Sequence, residues 1–135
     1  MKKQQGAAAV EFAIILPILI VLVFGIIEFG LALYDKAVIT NASREGARAG
    51  IVFKVPAVSD GEITTVVNNY CQNYLVTFGA ARNASTTITR EGASLSGDDL
   101  TVAVAYTYDY LLLPGFISSL TGGLNMNATT VMRME

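Results

Sequence analysis

The sequence predicts an α+β protein: a long N-terminal transmembrane helix continuing into a small exported domain with a second helix and a three-stranded antiparallel sheet. Three patterns point there. Residues 7–34 read AAAVEFAIILPILIVLVFGIIEFGLALY and hold only two charges, Glu11 and Glu28. From Ile63 to Phe78 the apolar residues recur at helical spacing. After residue 100 the chain alternates with period two, first over Thr101–Tyr110 and again from Leu124 to Glu135.

The apolar stretch sets the architecture. As a helix it would span about 42 Å at ~1.5 Å per residue. That exceeds the ~30 Å hydrocarbon core of a bilayer and leaves room to tilt. A secretory signal is the rival reading, with Lys2 and Lys3 as its basic region and Gly30-Leu31-Ala32 as a cleavage pattern. The apolar run is nearly twice the usual ~7–15 residues of such a signal, which argues against removal after Ala32. Pro17 lies inside the helix and predicts a kink near Ala13–Pro17. Gly25 and Gly30 thin the helix, but their spacing of five is not that of GxxxG. The helical pattern continues through Ala37, Val38, Ala42 and Ala49 to about Val52, a rod of roughly 65–70 Å at ~1.5 Å per residue. Pro56 then breaks it. The expected organisation is a basic leader at 1–6, a membrane span at 7–34, a helix extension at 35–53 and an exported domain at 54–135.

The exported domain opens with Ser59 and Glu62, the spacing of a capping box. Behind it Ile63, Val66, Val67, Tyr70, Cys71, Tyr74, Leu75 and Phe78 form an amphipathic stripe that Gly79 ends. Cys71 sits within the stripe and reads as a small buried hydrophobe, the alternative being an intermolecular disulfide. Residues 85–91 form a modest edge strand, and Ser96-Gly97-Asp98-Asp99 turns the chain into the next one. There Val102, Val104, Tyr106, Tyr108 and Tyr110 share a face. Leu113-Pro114-Gly115 begins an irregular connection that Thr121-Gly122-Gly123 closes. In the last strand Leu124, Met126, Ala128, Thr130, Met132 and Met134 share the inward face. The tyrosine and methionine stripes are expected to be core against two helices on one face of the sheet.

Composition excludes several functions. The chain has 135 residues, 53% hydrophobic and only 15% charged, with net charge -2 and mean hydropathy +0.50. There is no basic excess with which to neutralise nucleic-acid phosphates. It has no histidine and one cysteine, which removes Cys/His zinc sites, His-dependent nucleophilic catalysis and an intrachain disulfide. No cofactor is expected. Asp98 and Asp99 occupy a turn without a convergent base or ligand set, so an enzyme is not the expected class.

The first twelve residues, MKKQQGAAAVEF, are the most informative. A short basic leader ends at Gly6, and one acid, Glu11, follows within the first turns of the apolar helix. A carboxylate in hydrocarbon costs several kcal/mol and usually has a partner. A cut after Gly6 would give Ala7 a free ammonium, titrating near pH ~7.7–8.0. Ala7 and Glu11 are i,i+4, so the pair is reachable within one helix or from a shifted neighbour. The alternative is an interfacial acid that snorkels to water.

Gly6 followed by AAAVEF resembles the type IV prepilin processing pattern. More specifically, GAAAVEFAIILPILIVLVFGIIEFG with NASREGARAG, and the ending YTYDYLLLPGF then MNATTVMRME, is similar to the TadE-like family of the tight-adherence (Tad) pilus system. The resemblance implies a pilin-like fold and a minor pilin or pseudopilin-like role in assembling an adhesion pilus. It implies that an aspartyl prepilin peptidase cleaves between Gly6 and Ala7, and that Glu11, with Phe12 beside it, serves assembly and charge pairing by helping to recruit or register the subunit in a filament. It marks Arg44, Glu45 and Arg48 as a candidate docking surface. Glu28, expected at the outer interface, is a further docking candidate. The implied partners are the membrane, the peptidase, other pilin-like subunits through the stem helix, and the Tad assembly machinery. The implied location is the bacterial inner membrane, with the N-terminus inside and the domain outside. The orientation follows the leader, because Lys36, Arg44 and Arg48 beyond the span keep the charge rule from deciding alone. The alternative is a non-polymerising, membrane-anchored envelope protein whose exported domain binds another protein.

Overall fold

A computed structural model describes residues 2–52, 54–77, 79, 81–92, 96–112 and 122–134, with side chains from Gly6 onward. Phe78, the Leu113-Pro114-Gly115 segment, Thr121 and Glu135 lie outside the described residues, as do the side chains of Lys2 and Lys3.

Helix α1 runs from Lys2 to Gly50 and passes Pro17 as continuous helix. At ~1.5 Å per residue its 49 residues reach about 73 Å. It ends two residues before the expected Val52, at a glycine, with Ile51 N–H still reaching the Ala47 carbonyl at 3.1 Å. Helix α2 spans Asp60–Tyr74 and has the expected capping box. Ser59 Oγ accepts from Glu62 N–H at 3.3 Å, and a Glu62 carboxylate oxygen accepts from Ser59 N–H at 2.8 Å. The bond from Ser59 N–H to the carboxylate, a second from Ser59 Oγ, and then Lys54 lower the Glu62 pKa.

The far end of α2 corrects the sequence reading. The stripe predicts helix to Phe78, but Leu75 is already extended at ψ 134°. Tertiary acceptors and donors replace the next helical bonds. Val76 N–H goes to Asp35 Oδ1 at 3.0 Å, and Arg82 Nη1 donates to the Gln72 carbonyl at 2.6 Å. Periodicity cannot register such substitutes.

The three strands are β1 (Ser85–Arg90), β2 (Asp99–Tyr108) and β3 (Leu124–Arg133). They form an antiparallel sheet in the order β1-β2-β3, with Ser85 opposite Ala105 and Ala105 opposite Asn127. Both helices pack on one face: α1 lies over β2 and β3, and α2 lies against α1 and reaches β1. Leu100, Val102, Val104, Tyr106 and Tyr108 alternate into that core, joined by Met126 and Ala128. Tyr110 falls beyond the strand and is half-buried.

Close helix approach depends on small residues. A Cβ on Gly46 would lie 2.5 Å from Val67 Cγ2, and one on Gly50 would meet Leu100 and Ile63. Among the described residues of the α2 stripe, Ile63, Val67, Cys71 and Leu75 are fully buried. Tyr70 is partly buried against the core, whereas Tyr74 is exposed. Gly46→Ala is therefore expected to destabilise the domain. Overpacking against stiff Val67 costs about 1–3 kcal/mol, only partly offset by about 1 kcal/mol of helix propensity. Gly25→Ala, with nothing within 4 Å, should be neutral or better. Denaturant unfolding in micelles compares the two.

Candidate functional site

The helical period places Glu28, Ala32, Asp35, Ile39, Ala42, Gly46 and Gly50 along one stripe of α1, and all are buried. This stripe is the seat of the domain, and two acids lie in it. Glu28 is 2% exposed. Its Oε1 accepts from Tyr108 Oη at 2.6 Å and from Leu111 N–H at 2.7 Å, while Oε2 accepts from Leu112 N–H at 2.7 Å. Burial, and then the Glu28 carboxylate, raise the Tyr108 pKa, so the phenol stays a donor. Short bonds of this kind to a charged acceptor are among the stronger ones a protein makes.

To the expectation that Glu28 stands at an outer interface the structure adds that its side chain is buried and bonded rather than open. Its carboxylate is an internal anchor that ties the end of β2 and the segment after it to the stem. Docking by this side chain would require breaking that anchor. The apolar run around Glu28 hid this, because helical context alone does not reveal a domain folding back.

Asp35 is fully buried one helical repeat above Glu28. Its Oδ1 takes the Val76 N–H, and Oδ2 has no hydrogen-bond partner among the described residues. Burial raises its pKa, opposed by the Val76 bond and by Arg82. Cys71 is a free, buried thiol, pushed up to about 11 by burial and then by Asp35. A shielded, protonated thiol of this kind behaves as a small hydrophobe.

The other sequence-derived residues are not gathered with these acids. Gly6, Ala7, Glu11 and Phe12 are exposed on the lower helix, and a Cβ on Gly6 would meet nothing within 4 Å. Glu11 and Glu28 stand about 25 Å apart along the axis at ~1.5 Å per residue, so they form no common site. Arg44, Glu45 and Arg48 are exposed on the solvent side of the upper helix. Arg48 and Glu45 approach to 4.0 Å, a surface pair that contributes little to stability. Asp99 is held by Arg133 at 3.2 Å.

By length and composition α1 can cross a membrane. Its lower half is bare, and its upper half carries the domain. The TadE-like protein family model matches residues 6–48. The matched segment runs from Gly6 through Glu11 and Glu28 to Arg48, so it contains every sequence-derived site residue. The sheet lies outside it. Neither a curated protein nor a solved structure matches the chain. The match covers roughly a third of the chain, within the helix that is long and apolar enough to cross a membrane.

Two outcomes test the buried acids. Tyr108→Phe should cost about 1.5–3 kcal/mol by removing one bond to a charged acceptor. Glu28→Leu should cost more, because it leaves three donors without that acceptor; unfolding of the full chain in micelles measures both. For Asp35 the folded-state pKa is raised, so its contribution is most favourable below the ordinary carboxylate range and declines as pH rises through the raised value. The stability of Asp35→Asn relative to wild type should therefore be higher near pH 7 than near pH 3.

Proposed function

We propose that this chain is a minor pilin or pseudopilin-like subunit for assembling a Tad-type (type IVb) adhesion pilus, matured by prepilin peptidase cleavage after Gly6. The observation that carries this reading is the division of one helix. No residue from 6 to 27 is buried, whereas from Glu28 upward a stripe of α1 is covered by the domain. The Glu28 anchor supports ending the membrane span at Ile27, earlier than the apolar composition suggests. Residues 7–27 make about 31 Å of helix at ~1.5 Å per residue, a match to the ~30 Å hydrocarbon core. The leader lies inside the cytoplasm, the stem in the inner membrane and the domain outside.

Removing residues 1–6 puts an ammonium on Ala7. Glu11, exposed one turn away, then has a cation of its own helix or of an axially shifted neighbour. Pairing removes an unmatched carboxylate from the apolar environment. The bare stem meanwhile exchanges lipid contacts for contacts with other stems through close packing. Phe12 follows Glu11 into that packing, and Arg44, Glu45 and Arg48 offer a polar docking ridge to the assembly machinery.

Intact-mass measurement of the membrane-associated protein should show residues 1–6 missing, and Gly6→Leu should retain them. Glu11→Gln should be cleaved yet support fewer pili. A wild-type protein that keeps Met1 in working assemblies overturns the processing claim. Photocrosslinking from Leu19 should capture pilin-like subunits; a single dedicated non-pilin partner would favour a non-polymerising envelope anchor.

A further inference from the structure

Where the domain meets the bare part of α1, the two enclose an apolar groove of about 230 Å³. Phe29, Ala32 and Leu33 of α1 form one wall, Leu124 and Met126 with Asn125 and Asn127 of β3 the other, and Lys36 stands at the groove as well. Phe29, Leu33 and Leu124 are 65%, 54% and 42% exposed. Leu124 belongs to the inward register of β3, yet it is uncovered while Met126 and Ala128 on the same face are buried.

The direction of β3 explains the difference. Lys36 Nζ donates to the Asn127 carbonyl, and Ser43 Oγ and Thr130 Oγ1 are 2.7 Å apart. The strand therefore climbs α1, and Leu124 is its lowest residue, next to the bare stem. Phe29 lines the groove, and Ile26, one turn lower on the same side of the helix, is exposed as well. Lys36 meets a carbonyl there, which leaves its positive charge uncompensated by that contact.

We infer that this groove seats a phospholipid of the leaflet in which the stem ends, its chain against Phe29, Leu33 and Leu124 and its phosphate towards Lys36. The inference rests on the membrane reading of the stem. Continuity with the bare helix argues for lipid, and so does the order of chemistry from apolar wall to cation. Size argues the same way. The volume exceeds the ~150 Å³ cavity that accepts benzene, but a helix about 10–12 Å across does not enter it. A cation beside the headgroup level is a usual means of holding an anionic lipid.

The chain contains no tryptophan, so single substitutions report depth without background. The full chain is placed in vesicles of ordinary or chain-brominated phospholipid, with tryptophan at one position. Ile18→Trp reports the stem, Phe29→Trp and Leu124→Trp report the groove, and Val131→Trp reports the upper outer face of β3. Emission of the first three is expected to fall by roughly half or more on bromination, as for rings buried ~5–10 Å at the interface, with Val131→Trp unchanged. Brominated phosphatidylglycerol should quench Leu124→Trp about two-fold more than brominated phosphatidylcholine, and Lys36→Gln should abolish the difference. If Ile18→Trp is quenched and the groove positions are not, the inference fails while the membrane reading stands. If Ile18→Trp is not quenched, the membrane reading itself fails. Shielded but unquenched groove emission would mean that protein fills the groove, and quenching of Val131→Trp would mean that the domain lies flat. Equal quenching by both headgroups overturns the role of Lys36.

Discussion

Glu28 fixes where the domain sits on its stem. Among the described residues, one carboxylate receives a phenol and two consecutive backbone amides, and these donors come from the end of β2 and the residues just after it. Each would be costly to leave unpaired in a dry contact. The bonds also have a fixed height on the helix, since a shift of one turn would bring Phe24, Gly25 or Ala32 to the donors, none of which offers an acceptor side chain. The boundary between bare and clothed helix is thus set by a charged acceptor rather than by hydrophobicity.

Above that point, size governs contact. Ala32, Ala42, Gly46, Ala47 and Gly50 keep α1 slender where α2 and the sheet approach it, and Ile39 fills the middle. Burying a residue such as Ile39 contributes about 1.5–3 kcal/mol. A domain of roughly 80 residues is near the size where a single core is marginal, and the upper half of α1 supplies one wall of it. Stem and domain are consequently one packing unit.

Much of this was legible from residue patterns. The capping box at Ser59 and Glu62, the strand alternation, the tyrosine face and the long helix all depend on neighbours in the chain, and all stand close to where periodicity puts them. Departures occur where distant groups compete. Helix α2 stops at Tyr74 because Asp35 and Arg82 take over bonds that the helix would have made. Nothing local marks Glu28 as bonded, because its described partners are eighty or more residues away. One signal was available: Glu28, Asp35, Ala42 and Gly46 share the helical face with the small residues, which marks a covered stripe rather than a solvated one.

The processing-type motif at Gly6 to Phe12 and the Arg44, Glu45, Arg48 ridge are local in sequence, and the TadE-like match spans both. By itself the sequence determined the long apolar helix, the second helix, the three strands and the kinship of residues 6–48. These follow from local propensity and from periodicity, which neighbouring residues encode. Only the tertiary structure decided that Glu28 is an anchor, that Asp35 is buried, and that the domain begins one carboxylate above a bare rod. Those facts depend on which donors reach which acceptors across the fold, and no local pattern contains that distance.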